Sequence, residues 1–310
     1  MNTSTRTEKN KVIQNKLEEE EKRNKRKKLV KLFIKVTFII LIFFFGIYFY
    51  TNYTSTKGLI TKEERIKNKK IPDSFSGSKI IQFSDLYYGS TITKNEVKRL
   101  VKTINIRKPD LIVFTGNLID PEYKISTKEQ EELIKELQKL DSTIGKYAVS
   151  GKYDDDKYST ILTQSDFNIL NNDYDLVYMN DNNPIMIVGL SSLLQKKRDP
   201  DKSYRYYKEE THNSDIYTIT ITSETDDIDN ILSEYNSDLI LAGNSMNGQI
   251  RLPFIGGIIK KEGSKKYKDP YYKINNTKLY VSSGIGSPDA GFRFMARPSI
   301  NFFRLTKIDS

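Results

Sequence analysis

An uncharged, apolar run over Val36–Tyr50 divides this chain of 310 residues into two parts. Extended to residues 29–53, the segment is long enough as a helix to cross a bilayer core of about 30 Å. A helix buried in a soluble core would carry a polar stripe, and this segment has none. A cleavable signal peptide would end in small residues, whereas Tyr48–Tyr53 is bulky. The sequence therefore predicts an uncleaved transmembrane helix over residues 29–53.

Basic residues cluster beside this segment. Residues 1–35 carry a net charge of +7 and residues 51–70 a net charge of +4, so the rest of the chain is nearly neutral. By the positive-inside rule, residues 1–28 form a cytoplasmic basic tail of a single-pass cell-membrane protein, and the globular part is extracytoplasmic. The basic residues after the helix weaken this bias without reversing it. A nucleic-acid partner is not indicated, because a nucleic-acid surface needs its charge on the folded domain.

Beyond the helix, residues 54–77 are polar and contain Gly58, Pro72 and Gly77, which predicts a stalk. Residues 78–310 form one predicted α/β domain, in which strands alternate with amphipathic helices over Lys94–Ile104 and Lys128–Leu140. The predicted strands are Lys79–Ser84, Asp110–Thr115, Tyr147–Ser150, Pro184–Leu190, Ile216–Thr222, Asp238–Ala242 and Leu279–Ser282. This order favours layered sheets with helices outside.

Four of these strands end in short polar loops that contain glycine. The loops are Ser84–Gly89, Gly116–Asp120, Gly151–Asp154 and Gly243–Gln249. In α/β proteins, ligand-binding and catalytic groups gather where the loops after the strands converge. One such loop alone would be an ordinary turn, because Asn, Asp and Gly are common turn residues. Four of them in succession predict a site.

The loops resemble the motifs of the calcineurin-like metallophosphoesterases, in particular their membrane-associated bacterial branch. Gly243–Pro253 (GNSMNGQIRLP) resembles the motif GHTHGGQ-I-x-LP, and Asp85–Tyr87 resembles D-x-H. Gly116–Asp120 and Gly151–Asp154 stand where that family has GDxxD and GNH[DE]. Val281–Pro298 resembles the closing segment of the branch. The resemblance covers about residues 78–308 and implies a four-layer αββα sandwich, preceded here by one transmembrane helix.

The resemblance also implies a chemistry. Enzymes of this family use two metal ions that hold the attacking and leaving oxygens of a phosphoester. A bridging carboxylate joins the two ions and imidazoles complete their shells, because imidazole suits Zn, Fe or Ni and carboxylates suit Mn or Mg. A further histidine helps the leaving group to depart.

This chain departs from that ligand set at most positions. Of the residues that the resemblance would place on metal, Asp85 is retained, and Asp120 and Asp154 are expected to support loops. The replaced positions are Tyr87, Asn117, Lys152, Tyr153, Glu224, Asn244 and Met246. The chain contains no cysteine and one histidine, His212, which we expect in a surface loop.

The first interpretation is therefore a membrane-anchored pseudophosphoesterase without an intact catalytic residue, which acts as an extracytoplasmic binding or scaffold module. No cofactor is expected, and the candidate ligands are a phosphorylated envelope component, an ion or a protein partner. Arg251, Arg293 and Arg297 are candidate phosphate contacts, because a guanidinium group matches phosphate oxygens. Lys152 either fills the vacated cation position by pairing with Asp85 or extends into solvent.

Two alternatives remain open from the sequence. In the first, Asp85, Asn117, Glu224 and Asn244 supply oxygen ligands to a single Mn²⁺, Mg²⁺ or Ca²⁺, and the chain is a residual phosphoesterase. In the second, Tyr87, Tyr153 and Met246 fill the pocket and the protein is purely structural. An open polar cleft at the strand ends would favour binding, and a filled one would favour a structural role.

Overall fold

A computed structural model of the chain describes residues 4–50, 58–209, 216–288 and 292–308. His212 and residues 51–57 lie outside the described residues. The chain forms two compact units, Met1–Tyr50 and Thr51–Ser310.

The first unit is one long helix, α1 (Ser4–Phe49). Its apolar stretch is not buried against other parts of the protein, and in the part of the chain that the structure describes it is the one helix long and apolar enough to cross a membrane. The predicted basic tail continues into the same helix from Ser4 onward. An exposed apolar helix of this length is consistent with a signal anchor or a membrane span.

The second unit contains two six-stranded mixed sheets. The first sheet has the strand order β1 (Ile60–Asn68), β14 (Ser299–Lys307), β2 (Lys79–Phe83), β3 (Leu111–Phe114), β4 (Gly145–Ala148) and β5 (Phe167–Ile169). Its neighbouring strands are parallel except for the antiparallel pair of β14 and β2.

The second sheet has the strand order β12 (Tyr271–Ile274), β13 (Thr277–Val281), β9 (Leu239–Ala242), β8 (Tyr217–Thr222), β7 (Ile185–Gly189) and β6 (Asp173–Val177). The four inner strands are parallel, and β12 and β6 are antiparallel edges. A short antiparallel hairpin of β10 (Arg251–Leu252) and β11 (Gly256–Gly257) lies outside both sheets.

Helices cover the outer face of each sheet. The helices are α2 (Lys94–Asn105), α3 (Thr127–Leu137) and α4 (Asp156–Gln164) on the first sheet, and α5 (Pro200–Ser203), α6 (Tyr206–Glu209) and α7 (Ile228–Glu234) on the second. Between the sheets lies a core in which Leu111 and Phe303 meet Ile187 and Ile219. The domain is therefore the four-layer αββα sandwich that the sequence predicts.

Capping residues fix where the helices of the first layer begin. Thr93 and Glu96 form a capping box at the start of α2, and Ser126 and Glu129 form another at the start of α3. Such boxes satisfy backbone N–H groups that the first helical turn leaves without partners. Both helices then bury one apolar face on the first sheet, as their residue spacing predicts.

The predicted stalk over residues 54–77 is wrong for the residues from 60 onward. Strand β1 pairs along its whole length with β14, and a 3₁₀ helix follows over Asp73–Phe75. Ile66 and Phe75 are buried in the core between the sheets. The sequence does not indicate this strand because β1 is an edge strand. Its exposed face carries charged residues that are also typical of a linker.

The pairing of β1 leads to a testable prediction about Ile66. We expect Ile66→Ala to lower the free energy of unfolding by about 2–4 kcal/mol, because it leaves a cavity between the sheets. The matched control is Arg65→Ala, at an exposed position of the same strand, for which we expect a change within about 0.5 kcal/mol. Denaturant unfolding of the full chain in detergent measures both values. Equal stability of the two variants would contradict the placement of β1 in the sheet.

Candidate functional site

The site lies where five parallel strands end, β2, β3 and β4 of the first sheet and β8 and β9 of the second. The loops approach so closely that glycine is required at two of them. A Cβ atom on Gly116 would lie 2.6 Å from the backbone nitrogen of Gly151, and one on Gly243 would lie 2.6 Å from the carbonyl oxygen of Thr115. The convergence predicted from the sequence is therefore present.

Asp85 is the centre of this site. It is fully buried directly after β2, and its carboxylate accepts hydrogen bonds from Ser84 Oγ (2.6 Å), Asn117 Nδ2 (2.8 Å) and the backbone N–H of Asn244 (3.0 Å). These donors come from the loops after β2, β3 and β9. The carboxylate thereby joins loops of both sheets.

Burial raises the pKa of Asp85, and nearby groups act against that shift. The largest opposing influence is the positive charge of Lys261, followed by the hydrogen bonds from Ser84 and Asn117 and the charge of Arg293. The carboxylate is therefore held in a setting where a cation stabilises its ionised form.

Lys261 supplies that cation, and no pattern in the sequence indicates it. Its ammonium group donates to Met246 Sδ at 2.8 Å and lies 5.7 Å from the ring centroid of Tyr87. Lys261 follows the β10–β11 hairpin in a segment that carries none of the four polar loops, so only the folded chain brings it to the site. The charge of this ammonium group therefore acts on the retained carboxylate.

The predicted pairing of Lys152 with Asp85 is wrong. The Lys152 ammonium lies 2.9 Å from Glu262 Oε2 and 5.3 Å from the ring centroid of its neighbour Tyr153. The hydrogen bond to Glu262 raises the pKa of Lys152. Lys152 thus forms an ion pair on the wall of the site, and the cation beside Asp85 comes from another segment.

The three bulky residues Tyr87, Tyr153 and Met246 differ in how deeply they are buried. Tyr87 and Met246 are buried, whereas Tyr153 is 42% exposed. Burial raises the pKa of Tyr87 well above its usual value, so its hydroxyl stays protonated at neutral pH. Tyr87 and Met246 fill the floor of the site, and Tyr153 leaves its opening free.

The two asparagines turn their side-chain nitrogens toward acceptors. Asn117 donates to Asp85, and its oxygen accepts from the backbone N–H of Tyr153 at 3.4 Å. Asn244 donates to the carbonyl oxygen of Glu262 (2.8 Å) and to Ser264 Oγ (3.1 Å). The oxygens that a metal would need are therefore not gathered around Asp85.

Asp154 holds two of the loops in place. Its carboxylate accepts the backbone N–H groups of Asn117 (2.7 Å), Leu118 (2.8 Å) and Gly151 (2.8 Å). Burial, with a contribution from the charge of Asp85, raises the pKa of Asp154 to about 7 although these N–H groups act in the opposite direction. Asp120 also orders its loop, by accepting from the backbone N–H of Glu122 at 3.0 Å.

Glu224 belongs to a separate buried network. Its carboxylate accepts from Ser192 Oγ and the Leu193 N–H, both at 3.0 Å, and lies 3.4 Å from the guanidinium of Arg198. Arg198 also pairs with Asp227. A carboxylate held this way braces the loop after β8. The predicted grouping of Glu224 with Asp85 as oxygen ligands does not match this arrangement.

The candidate phosphate-binding arginines have internal roles. Arg251 lies 2.7 Å from Asp269 Oδ1. Arg293 is fully buried and donates to three backbone carbonyls and to Ser287 Oγ. Burial lowers the pKa of Arg293 to about 10, and the charge of Asp85 acts against this shift. Arg297 lies against the backbone at Gly58.

A cleft of about 780 Å³ opens above Asp85 and Lys261. Its lining combines aromatic, amide and charged side chains, among them Tyr87, Tyr153, Asn244, Gln249, Lys152, Lys261, Asp120, Glu122 and Glu262. The floor of the site is filled while its upper part stays open. A polar molecule therefore has access to Lys261.

Comparison with known proteins agrees with this architecture. The sequence model of the calcineurin-like phosphoesterases matches residues 78–283, which include the loops after all five strands. The chain belongs to the calcineurin-like phosphoesterase family. In this member of the family, the site contains the buried Asp85 carboxylate, and Lys261 lines the cleft.

Three similar proteins illustrate the relationship. The chain is 32% identical to the metallophosphoesterase YkuE of Bacillus subtilis, over 82% of this chain and 87% of that protein. It is 26% identical to a metallophosphoesterase of Helicobacter pylori J99, over 73% of this chain and 59% of that protein. The solved structure of a 5'-nucleotidase precursor from Thermus thermophilus aligns with a TM-score of 0.43 at 11% identity, covering 74% and 54% of the two chains.

The residues of this calcineurin-like protein do not fit the family's pair of metal ions. Within residues 58–209, 216–288 and 292–308, no three His, Cys, Asp or Glu side chains come together as a ligand set. Two divalent cations need anionic ligands to balance their charge, and Asp85 provides one carboxylate. The positive charge of Lys261 also acts on Asp85. We therefore derive no hydrolytic step through bound metal for this site.

The role of Lys261 can be tested with a double-mutant cycle. We expect Lys261→Met to lower the free energy of unfolding by about 1–3 kcal/mol, because it removes the cation that opposes the cost of burying Asp85. In an Asp85→Asn background the same change should cost less, with a coupling energy of at least about 0.5 kcal/mol. Denaturant unfolding of the full chain in detergent provides the four values.

The control for this cycle is Lys260→Met, which removes an exposed neighbouring ammonium. We expect no coupling between Lys260 and Asp85, because screening by water leaves little interaction at an exposed site. Additive effects of the Lys261 and Asp85 changes would contradict the stabilising interaction between them.

Proposed function

We propose that this calcineurin-like protein is a membrane-anchored pseudophosphoesterase that acts as an extracytoplasmic binding or scaffold module. The single observation that carries the proposal is the buried Asp85 carboxylate, which accepts hydrogen bonds from Ser84, Asn117 and the Asn244 N–H at the strand ends. The charge of Lys261, a tethered monovalent cation, favours the ionised form of this carboxylate. The chain thus keeps the scaffold of the family while the chemistry has been lost.

Loss of hydrolysis follows from what two-metal catalysis requires. The reaction needs an activated water and a pair of ions that stabilise the attacking and leaving oxygens. In this site, Tyr87 and Met246 occupy the floor, and the amide of Asn117 donates to Asp85 instead of bridging metals. No other described side chain near Asp85 replaces the missing anionic ligands.

The membrane assignment rests on α1 and its flanks. Its apolar stretch is exposed, and lysines and arginines concentrate before it. The positive-inside rule then favours a cytoplasmic N-terminus and a domain on the outer side of the membrane. A module on that side of the membrane is exposed to envelope components, and there it can act as a binding or scaffold module.

The open cleft supports binding over a purely structural role. Lys261 offers an ammonium group, Lys152 is already paired with Glu262, and the rings of Tyr87 and Tyr153 offer apolar faces. An ammonium group attracts phosphate, and a ring face packs against the non-polar part of a ligand. A phosphorylated envelope component would contact Lys261 in this cleft, which Asp120, Glu122 and Glu262 also line.

Metal content and turnover test the proposal. We expect the full chain, purified in detergent and incubated with Mn²⁺, Zn²⁺ or Fe²⁺, to retain less than one ion per chain after desalting. Turnover of aryl phosphomonoesters and diesters should equal that of Asp85→Ala, because the native site cannot build the metal pair. Elemental analysis and a colorimetric assay give the two readings.

A matched control is Asp156→Ala, which removes an exposed carboxylate away from Asp85. Two bound ions per chain, with turnover that disappears in Asp85→Ala and persists in Asp156→Ala, would overturn the pseudophosphoesterase proposal. One bound ion with such turnover would support a residual single-metal hydrolase instead.

A further inference from the structure

Large apolar side chains are exposed together around the β10–β11 hairpin. Phe254 at its tip is fully exposed, and its neighbours are about half exposed. We call this set the apolar patch, and its members are Leu252, Phe254, Ile255, Ile258, Phe292 and Met295. Contiguous exposed apolar groups of this kind mark an interaction surface, because monomeric soluble proteins rarely expose a large apolar patch to water.

Hydrogen bonds join the two segments that carry the apolar patch. The N–H of Arg251 donates to the carbonyl of Phe294 at 2.9 Å, and the N–H of Phe294 donates to Gln249 at 3.1 Å. Met295 and the hairpin residues from Leu252 to Ile255 line one shallow cavity. The patch is therefore one continuous surface.

The backbone at the tip supports a functional reason for the exposure. Phe254 has φ of 66°, a left-handed conformation that costs a bulky residue about 1–2 kcal/mol. The conformation turns an aromatic ring away from the domain, where it gains no packing within the protein. Strain kept at an exposed aromatic residue indicates a partner that covers it.

The apolar patch lies close to the point where the chain enters the domain from α1. A Cβ atom on Gly58 would lie 2.8 Å from Arg297 Nη2, and the N–H of Ile60 donates to the carbonyl of Pro298 at 3.0 Å. Arg297 follows Met295 by two residues. About ten residues separate Phe49 from Ile60, and such a length spans at most about 35 Å.

We propose that the apolar patch inserts into the interfacial region of the same membrane that holds α1, an inference that rests on the proposed anchor. The short connection keeps the domain near the bilayer, and the patch lies beside the end of that connection. Basic residues are close to the patch in sequence, since Arg251 and Arg297 flank its two segments and residues 260–268 contain five lysines. Apolar groups together with basic ones bind the surface of an anionic bilayer.

Insertion of the patch into the membrane would also determine which way the opening of the cleft faces. Gln249 and Ile259, which flank the β10–β11 hairpin on either side, line the cleft above Asp85. The cleft therefore opens next to the surface that enters the membrane. Its ligand is then a group presented at the bilayer surface, such as a phosphorylated headgroup.

Spin labels on single cysteines test the insertion, because the chain has no native cysteine. The full chain is placed in nanodiscs of phosphatidylethanolamine and phosphatidylglycerol, with a nitroxide at Phe254→Cys, Leu41→Cys or Ile106→Cys. Leu41 reports on α1, and Ile106 is an exposed apolar control elsewhere on the domain. We expect the ratio of oxygen to nickel-chelate accessibility at Phe254→Cys to exceed that at Ile106→Cys several-fold.

The outcomes distinguish a failure of the proposed insertion from a failure of the proposed membrane anchor. A lipid-like ratio at Leu41→Cys with a water-like ratio at Phe254→Cys would overturn the insertion and leave the anchor standing. A water-like ratio at Leu41→Cys would overturn both. Low accessibility to both reagents at Phe254→Cys would indicate a protein partner on the patch and also refute the insertion. Ile255→Cys, at another exposed position of the loop, repeats the measurement if the Phe254 variant folds poorly.

Discussion

The buried carboxylate of Asp85 connects the two sheets at their common edge. Ser84, Asn117 and Asn244 donate to it from three loops, and the charges of Lys261 and Arg293 act on it from two further segments. A buried anion is costly unless it is hydrogen bonded and balanced by positive charge. The positions of these five segments are thus tied to one charged group, and the shape of the cleft above depends on it.

The backbone around this group is left-handed at several positions. Tyr87 has φ of 45° and Met246 has φ of 51°, and bulky residues disfavour such left-handed conformations. Asn117 and Asn244 also lie in this region, which asparagine tolerates. These positions strain the loops that converge on Asp85. On the proposed function, the chain keeps the fold of the family without its chemistry.

Local patterns in the sequence predicted most of the domain. The strands before the site are continuous apolar runs, and α2 and α3 have clear apolar faces, so their type follows from residue spacing. Strand β1 was not predicted because an edge strand buries few residues. Strand β14 was not predicted because its partner strands are distant in the chain. Lys261 could not be found, since its contact with the site depends on the path of a loop. Lys152 lies in the right loop, but the acidic group nearest to it is Glu262, which no pattern indicates.

The position of β14 in the first sheet determines when that sheet can form during translation. The last strand of the chain lies between β1 and β2, which precede nearly the whole domain in sequence. During translation β1 therefore has no strand to pair with until β14 has been made, whereas α1 is made before both. The helix can reach a membrane long before the first sheet is complete. The first sheet is therefore completed only after β14 has been made, and the edge of β2 stays exposed until then.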